Sequence, residues 1–424
     1  MILVSLLLLL LAILGAPLFA IIATSAMVGF HSNDTELMTI ALELMSIAQM
    51  PILTAIPLFT FAGYILSESN APKRLVRLTN AMFGWMPGGL ALVCLAACAF
   101  FTAFTGASGV TIIALGAILY PALKQDGYSD RFNLGLVTSS GSLGLLFAPS
   151  LPLILYGVVA EVSIDDLFRA GILPGIVMLV MLSGYSIWVN RNNRKPVESF
   201  SLREVGAALR EAIWELPLPF VVLGGIYSGF FAVSEAAAIT ALYVFIAEVL
   251  INREIRFRDL PRITRDSMVL VGGILMILGV SLASTYYMID TEVPQKLLAL
   301  VAELVSSPTS FLILLLVFLL ILGAILDIFS AIVLVVPLIL PIAAGFGVNE
   351  VHLGIVFLAS DDAGYCSGHE FVIDGISRTE EAATLELRWN GKPIGADLEG
   401  SLDIRIPPRD EFSVLSIRAL GGDE

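Results

Sequence analysis

The chain of 424 residues is 57% hydrophobic and 14% charged, with a mean hydropathy of +0.91. These values lie above the apolar share and below the charged share of soluble domains, so we exclude a soluble protein and predict a polytopic membrane protein. Cys94 and Cys98 lie one helical turn apart in an apolar run and Cys366 is distant, so nothing resembles a disulfide framework, and close helix packing is favoured for the pair over metal or redox chemistry. The three histidines are scattered and form no metal-ligand cluster.

Apolar runs recur between residues 2 and 359, and at roughly 20 residues per crossing they leave room for about nine or ten spans besides re-entrant pieces. The first run, residues 2–23, has no basic segment before it and no A-x-A site after it, so we predict a span and not a signal peptide. A polar loop is predicted for residues 31–36, and a second span for residues 51–66.

The next stretch, residues 71–85, has the pattern of an amphipathic helix that lies at the membrane surface. Its apolar face carries Leu75, Leu78 and Met82. Its opposite face carries the bases Lys73, Arg74 and Arg77. Because bases concentrate in cytoplasmic loops, this helix and the later basic clusters within residues 191–210 and 253–265 are predicted to be cytoplasmic.

Residues 99–157 are apolar enough for a bilayer but are interrupted in three places. The interruptions are residues 106–109, residues 138–142, and the pair Pro149 and Pro152. Hydrocarbon offers no water to freed N–H and C=O groups, so broken backbone at membrane depth needs protein or a watery cavity around it. Paired broken segments of this kind indicate the binding site of a transporter, and we predict half of a substrate and ion site here.

Six hydroxyl side chains beside these interruptions are candidate ion ligands, because Na⁺ takes neutral oxygen ligands and needs no carboxylate. They are Thr105, Ser108, Ser139, Ser140, Ser142 and Ser150. The alternative is that small residues let helices pack closely, and it stays open for each serine taken singly. For the cluster as a whole, which lies beside two breaks, we favour a binding role.

Two acidic side chains, Glu235 and Asp327, lie in apolar surroundings, where an embedded carboxylate is a functional hypothesis by default. Each also opens an apolar run, so capping of a helix N-terminus is an equal alternative. The pair Tyr120-x-x-x-Lys124 has dehydrogenase spacing, but no Gly-rich dinucleotide turn precedes it and the chain has no P-loop. We therefore predict transport driven by an ion gradient, without an organic cofactor.

The chain is predicted to contain two membrane repeats. Pro121 and Gly127 recur as Pro341 and Gly347, 220 residues later, and weak internal symmetry marks two-repeat transporters. Chance similarity between leucine-rich segments is the alternative. The predicted divisions are residues 1–190 for the first repeat, 191–213 for a cytoplasmic linker, 214–359 for the second repeat and 360–424 for a tail.

Over residues 1 to about 359, four stretches resemble, in the same order, the large membrane subunit of tripartite ATP-independent periplasmic (TRAP) transporters. They are FTAFTGASGVTIIALGAILYPALKQDGYS, SSGSLGLLFAPSLPLILYG, GGIYSGFFAVSEAAAITALY and LGAILDIFSAIVLVVPLILPIAAGFGVNEVHLGIVFLA. The resemblance implies an all-α multi-pass protein of the bacterial inner membrane, with two inverted repeats, re-entrant helical hairpins and elevator-type symport of sodium. It also implies a small four-helix membrane subunit, a periplasmic solute-binding protein, and a small organic acid as substrate, such as a C4-dicarboxylate, sugar acid or sialic acid. No nucleic-acid partner is expected.

Carried over by motif, the resemblance places the tip of the first hairpin at residues 105–109 and a facing unwound segment at residues 139–150. The tip residues expected to bind are Thr105, Gly106, Ser108 and Gly109. Sodium contacts are expected at Ser108 and Ser140. Glu235 matches the Glu of the family's T-P-T-E-A-A-A pattern, although Ala-Val-Ser precedes it here, and Asp327 takes the acidic position before the second hairpin.

From about residue 360 the chain departs from that family, which continues with G-Y-L-T-P-P-V-G where this chain reads GYCSGH. Residues 358–375 instead resemble the closing segment of short-chain dehydrogenases, without that family's catalytic or nucleotide motifs. Beyond them, polar and apolar residues alternate around Asn390-Gly391, which is typical of β-strands. We predict a soluble β-rich tail, which is either an appendage or the product of a composite or truncated reading frame. A permease is the favoured function, with a non-transporting scaffold subunit and a membrane-anchored enzyme as alternatives.

Overall fold

A computed structural model describes residues 6–8, 10–11, 14–33, 38–86, 88–106, 108–191, 200–305, 307–323 and 326–360, and in the tail residues 385–389, 392–393 and 415–419. The chain divides into two compact units, Met1–His369 and Glu370–Glu424. The described residues of the first unit are helical apart from short connections, and those of the second unit are strands.

Residues 6–8 and 10–11 are helical, and nine further helices lie between residues 18 and 189: α1 (Leu18–Ser32), α2 (Met38–Ala48), α3 (Ala55–Glu68), α4 (Ala71–Phe83), α5 (Gly89–Thr105), α6 (Ser108–Gln125), α7 (Asp130–Leu143), α8 (Leu151–Val159) and α9 (Ile164–Val189). Eight follow in the described part of the second half: α10 (Leu202–Glu211), α11 (Pro217–Tyr227), α12 (Val233–Phe245), α13 (Leu260–Asp290), α14 (Val293–Leu304), α15 (Pro308–Gly323), α16 (Ile328–Gly345) and α17 (Glu350–Ser360). One turn of 3₁₀-helix precedes α3 at Pro51–Thr54, another follows α7 at Gly144–Leu146, and a π-helical turn follows α12 at Ile246–Ile251.

Six of the described helices are long and apolar enough to cross a membrane, or up to eight if each bent helix pair is one span. The prediction of an all-α polytopic membrane protein is thereby confirmed, with fewer spans in the described part than the nine or ten expected. The second span agrees closely with its prediction, because Pro51–Glu68 forms one continuous apolar element.

The N-terminal boundaries differ from the prediction. The predicted first span is interrupted at Gly15, whose φ of 85° is the left-handed conformation that glycine adopts readily, and α1 begins only after Pro17. His31 and Ser32, predicted as loop, lie in the last turn of α1. The Ser32 hydroxyl donates to the Val28 carbonyl at 2.8 Å, so this polar side chain is satisfied inside the helix.

The surface helix α4 forms where it was predicted, but the prediction of which residues are buried and which are exposed was only partly correct. Leu75 and Leu78 are buried as expected, whereas Met82 is 43% exposed. Arg74 was placed on the solvent face, yet its side chain is only 13% exposed, because three glutamates from distant parts of the chain surround it. Lys73 and Arg77 are exposed as predicted.

The same local geometry occurs twice, 220 residues apart. Helices α6 and α16 each have 18 residues, and each is followed by a glycine of positive φ, Gly127 at 82° and Gly347 at 73°. The residue after each glycine donates a backbone hydrogen bond to a carbonyl in the last turn of the helix. Tyr128 N–H donates to Leu123 O at 3.1 Å, and Val348 N–H donates to Ala343 O at 2.9 Å. This is the hydrogen bond of a Schellman C-cap, and the positive φ it needs explains why both turns carry glycine.

A cross-helix hydrogen bond joins α13 to α16 at a proline. Pro337 has no N–H, so the carbonyl of Val333, one turn earlier, loses its normal partner within the helix. The buried Ser281 hydroxyl of α13 donates to that carbonyl at 2.7 Å. The proline is therefore tolerated inside the apolar region because a neighbouring helix supplies the missing donor.

The described residues of the tail form three short antiparallel strands, β1 (Leu385–Trp389), β2 (Lys392–Pro393) and β3 (Leu415–Ala419), in the order β2-β1-β3. In their register Leu385 faces Ala419 and Trp389 faces Leu415. The predicted turn at Asn390-Gly391 lies outside the described residues, as does the dehydrogenase-like segment beyond residue 360.

Candidate functional site

The first break separates α5 from α6. Helix α5 ends at Thr105, Gly106 follows with a φ of 62°, and α6 begins at Ser108. A Cβ atom at Gly106 would overlap the side chain of Leu151, the first residue of α8. Only glycine therefore meets both the backbone conformation and the close approach of α8 at this point.

The second break separates α7 from α8. The 3₁₀ turn Gly144–Leu146 and residues 147–150 follow α7, and the chain bends by 49° between Asp130–Leu146 and Leu151–Val159. The Ala148–Pro149 peptide bond is cis, and Pro152 lies in the first turn of α8. The prolines thus mark the break as predicted, and the contact between Gly106 and Leu151 brings the two breaks together.

The predicted interruption at residues 138–142 is wrong, since these residues are helical within α7. Their hydroxyls donate to carbonyls one turn earlier: Thr138 to Leu134 O at 2.9 Å and Ser139 to Gly135 O at 2.8 Å. Hydroxyls can return to the backbone in this way and leave a helix intact. The unwound segment is correspondingly shorter than the predicted residues 139–150.

A buried hydroxyl network links the three helices around the first break. Thr102 Oγ1 donates to Gly141 O at 2.8 Å and lies 2.8 Å from Thr111 Oγ1, which is 3.1 Å from Thr105 Oγ1. All three threonines are fully buried. The network joins α5, α6 and α7 through neutral oxygens, the ligand type that a hard monovalent cation accepts.

Two further buried hydroxyls, on the residues next in the chain to Gly141 and Leu151, lack a hydrogen-bond partner in the part of the chain that the structure describes. They are Ser142 Oγ in α7 and Ser150 Oγ just before α8, on residues that are 1% and 0% exposed. A buried hydroxyl without a partner is costly, and such groups in native proteins usually have a water or an ion as partner. Both oxygens therefore fit a cation site.

The other predicted residues of the tip and of the facing segment differ in their surroundings. Ser140 is buried, but its hydroxyl already donates to Val137 O at 3.1 Å and lies 3.5 Å from Cys94 Sγ. Ser108 is half-buried at the start of α6, with its carbonyl beside Gly141. Gly109 is exposed, and no atom lies within 4 Å of the place where its Cβ would be. Ser139 is half-buried with a satisfied hydroxyl.

The two acidic candidates are exposed and cap their own helices. Glu235 Oε2 accepts from Ala232 N–H at 3.0 Å at the start of α12, and Asp327 Oδ2 accepts from Ser330 N–H at 3.1 Å at the start of α16. Among the described residues, no hydrogen bond joins either carboxylate to the hydroxyl network. Capping thus accounts for their observed contacts, and a role in binding remains a prediction.

Sequence reasoning missed Thr102 and Thr111 of the network, and also Ser360. The first two are hydroxyls in apolar helices on either side of the break, a signal that was available in the sequence. Ser360 lies 220 residues after Ser140, is 2% exposed, and donates to Phe357 O at 2.9 Å as Ser140 does to Val137 O. The repeat spacing alone would have identified it.

The pair with dehydrogenase spacing has a structural role. Tyr120 and Lys124, in the last turns of α6, both contact Asp130 at the start of α7, with distances of 3.3 Å from the Tyr120 hydroxyl and from Lys124 Nζ to its carboxylate. These contacts tie the ends of two consecutive helices across the turn at Gly127.

The sequence is similar to one family of known proteins over most of its length. The sequence profile of the family described as "Tripartite ATP-independent periplasmic transporter, DctM component" matches residues 2–367. The chain is 32% identical over 356 residues to the C4-dicarboxylate TRAP transporter large permease protein DctM of Rhodobacter capsulatus, covering 80% of each chain. It is 30% identical over 350 residues to the ectoine TRAP transporter large permease protein TeaC of Halomonas elongata, covering 82% of each. It is 33% identical over 345 residues to the isethionate TRAP transporter permease protein DctMQ of Oleidesulfovibrio alaskensis, covering 79% of this chain and 54% of that one.

Proposed function

The chain belongs to the DctM family of tripartite ATP-independent periplasmic transporters, as a large permease subunit, and we propose that it carries a small organic acid across the bacterial inner membrane on the sodium gradient. Its relatives are named as transporter permeases, so the chain is a transporter subunit and not an enzyme. The proposed assembly includes a small four-helix membrane subunit and a periplasmic binding protein that delivers the solute.

The observation that carries the proposal is the meeting of two helix breaks at Gly106 and Leu151, beside buried oxygens. We place the sodium ion between the threonine network and the two hydroxyls that lack a partner, Ser142 and Ser150. These are favoured over Ser140, because the Ser140 hydroxyl already has Val137 O and Cys94 Sγ as neighbours, whereas Ser142 Oγ and Ser150 Oγ have no hydrogen-bond partner among the described residues. A buried hydroxyl without a partner gains the most from a bound cation, because its desolvation is otherwise uncompensated.

The substrate is proposed to bind next to the ion, where α6 and α8 begin at the two breaks. Unpaired N–H groups and the helix dipole make helix N-termini favourable places for an anionic group. The relatives are named for C4-dicarboxylate, isethionate and ectoine, so the family name alone does not fix the solute. We propose the organic-acid class, with a C4-dicarboxylate, a sugar acid or a sialic acid as the solutes to try first.

The recurrence of α6, its glycine turn and α7 as α16, its glycine turn and α17 supports an arrangement in two repeats, each with a re-entrant hairpin. We propose that the repeats are inverted and that the hairpins move together as an elevator. A non-transporting scaffold subunit remains the second candidate, because the family match ends at residue 367, where the second hairpin of the family would continue.

Uptake into proteoliposomes that contain the chain, its small membrane subunit and its binding protein tests the proposal. We expect uptake of organic acid only under an inward sodium gradient, and a higher sodium requirement in Ser142→Ala/Ser150→Ala. The control is Ser139→Ala, whose hydroxyl is satisfied within its own helix and whose loss should leave the sodium requirement unchanged. Uptake that does not depend on sodium would contradict the coupling, and absence of uptake for every solute class would favour the scaffold subunit.

A further inference from the structure

A group of charged side chains marks one end of the helix bundle. Arg74 of α4 forms ion pairs with Glu215, which precedes α11, with Glu248 in the π-helical turn, and with Glu254 in the connection that follows. We call these four residues the boundary cluster. Because α3 and the π-helical turn end here and α13 begins here, the cluster lies where the chain leaves the apolar layer.

The connection at residues 252–259 is fixed from the inside by this cluster. The Glu254 carboxylate pairs with Arg74 and also accepts the Asn70 N–H at 2.7 Å. The backbone N–H of Glu254 donates to Glu248 O at 3.0 Å, and the Ile255 side chain is 4% exposed. The inward side of the connection is therefore anchored by an ion pair, two backbone hydrogen bonds and an apolar side chain.

The outward side of the same connection presents bases and one aromatic ring. Arg253, Arg256 and Arg258 are exposed, and within the described part of the chain none of them takes part in an ion pair or a side-chain hydrogen bond. Phe257, between the last two, is 65% exposed, and its ring packs edge-on against that of Phe245, with ring centroids 6.4 Å apart. Arg253 has a φ of 52°, a backbone conformation that residues other than glycine rarely adopt. This conformation lets the Glu254 side chain turn inward while the Arg253 side chain faces outward.

We propose that this outward side, residues 253–258, is a binding site for the phosphate groups of anionic phospholipids. A guanidinium pairs with a phosphate through two parallel hydrogen bonds, and three exposed arginines without an ion pair among the described residues fall within six residues here, at the end of membrane helices. An exposed Phe beside such bases suits the boundary between headgroups and acyl chains, where apolar side chains insert next to basic ones. Since the connection is held rigid by the boundary cluster, little ordering is needed when the lipid binds.

The charge balance favours a lipid over an acidic protein segment. The acids of the boundary cluster face inward and are engaged with Arg74, so the exposed charges of residues 253–258 are all basic, with the half-buried Asp259 next in the chain. It also directly joins two helices that reach the membrane boundary, Val233–Ile251 and Leu260–Asp290, which keeps its bases within reach of lipid headgroups. Juxtamembrane bases of this kind are attracted to anionic lipid surfaces.

The test compares purified wild-type subunit with Arg256→Gln/Arg258→Gln in detergent micelles that contain phosphatidylglycerol or phosphatidylcholine. The readouts are the lipid retained per protein and the apparent melting temperature. Each arginine near an anionic surface strengthens binding by roughly fivefold, so the double variant should bind phosphatidylglycerol roughly 30-fold more weakly. Phosphatidylcholine should have the same effect on both proteins.

The matched control is Arg203→Gln/Arg210→Gln, which removes two exposed arginines from α10 and the same net charge. It should retain the response to phosphatidylglycerol. An equal loss in both double variants would show general attraction to positive charge and overturn the site, as would an unchanged response in Arg256→Gln/Arg258→Gln. Stabilisation by inorganic phosphate alone would also overturn it in favour of a free-anion site. Lost binding of the small membrane subunit with an intact lipid response would mean that the surface contacts protein instead.

Discussion

Replacing Arg74 by methionine should destabilise the subunit strongly, because Arg74 is the only cation that the structure shows pairing with Glu215, Glu248 and Glu254. The Glu215 and Glu248 side chains are 2% and 1% exposed, so neither can be rehydrated without moving backbone. Removing one partner of a buried ion pair typically costs about 3–5 kcal/mol, since an uncompensated charge remains. We expect a loss of stability of that order for Arg74→Met.

Arg77 is the matched control, one helical turn away on α4. It pairs with Glu204 and Glu211, but its side chain is 43% exposed and theirs are 51% and 48% exposed. Exposed ion pairs contribute little because water and salt screen them. Arg77→Met should therefore change the stability of the subunit very little. It removes the same charge as Arg74→Met and breaks two ion pairs with glutamate, where Arg74→Met breaks three.

The assay is the apparent melting temperature of purified protein in detergent, with retained folded protein on size-exclusion chromatography as a second readout. A second substitution separates charge from packing: Glu215→Gln added to Arg74→Met should recover part of the lost stability, because it removes one of the unpaired carboxylates. If Arg74→Met were no worse than Arg77→Met, the three glutamates would not depend on Arg74 for their burial, and the large predicted loss of stability would be wrong.

Three other predictions follow from single contacts. Gly106→Ala should cost about 1–2 kcal/mol for its positive φ, besides overlap with α8, whereas Gly109→Ala should be neutral or slightly stabilising; melting temperatures of the two variants compare them directly. Ser281→Ala should cost about 1 kcal/mol, and Ser281→Ala/Pro337→Ala should regain it, because the restored N–H again reaches the carbonyl that the proline leaves unpaired; an unimproved double variant would contradict this. Burial raises the pKa of the Glu254 carboxyl, but the Asn70 N–H and the Arg74 guanidinium outweigh it and hold that pKa below its ordinary value of 4.5. Its stabilisation should thus be present at neutral pH and disappear as the pH falls below about 4.5, and Glu254→Gln should flatten that part of a stability profile against pH.

The sequence located the breaks well where the backbone itself was the cause. Gly106 and Pro149 mark the two places where helices end, because a positive φ and a missing N–H are local properties of those residues. The spacing of 220 residues was likewise readable, since both copies of the turn need a glycine.

The errors arose where a side chain found a partner that composition does not reveal. Thr138 and Ser139 leave α7 intact because their hydroxyls bond to the preceding turn, so a polar run was mistaken for a break. Arg74 was assigned to the solvent because helical periodicity places it on the basic face with Lys73 and Arg77, whereas its partners lie between 141 and 180 residues away in the chain. Burial of a charge depends on such long-range partners and cannot be read from helix periodicity.

The central claim is that the two touching breaks form a sodium site from neutral oxygens. The most direct measurement is the apparent melting temperature of the purified subunit titrated with sodium chloride, against potassium chloride at equal ionic strength. A ligand that binds only the folded protein stabilises it by RT ln(1 + [L]/Kd), so we predict a rise that is specific to sodium and that is lost in Ser142→Ala/Ser150→Ala but kept in Ser139→Ala. An equal rise with potassium, or a sodium response that survives the loss of both hydroxyls, would contradict the claim.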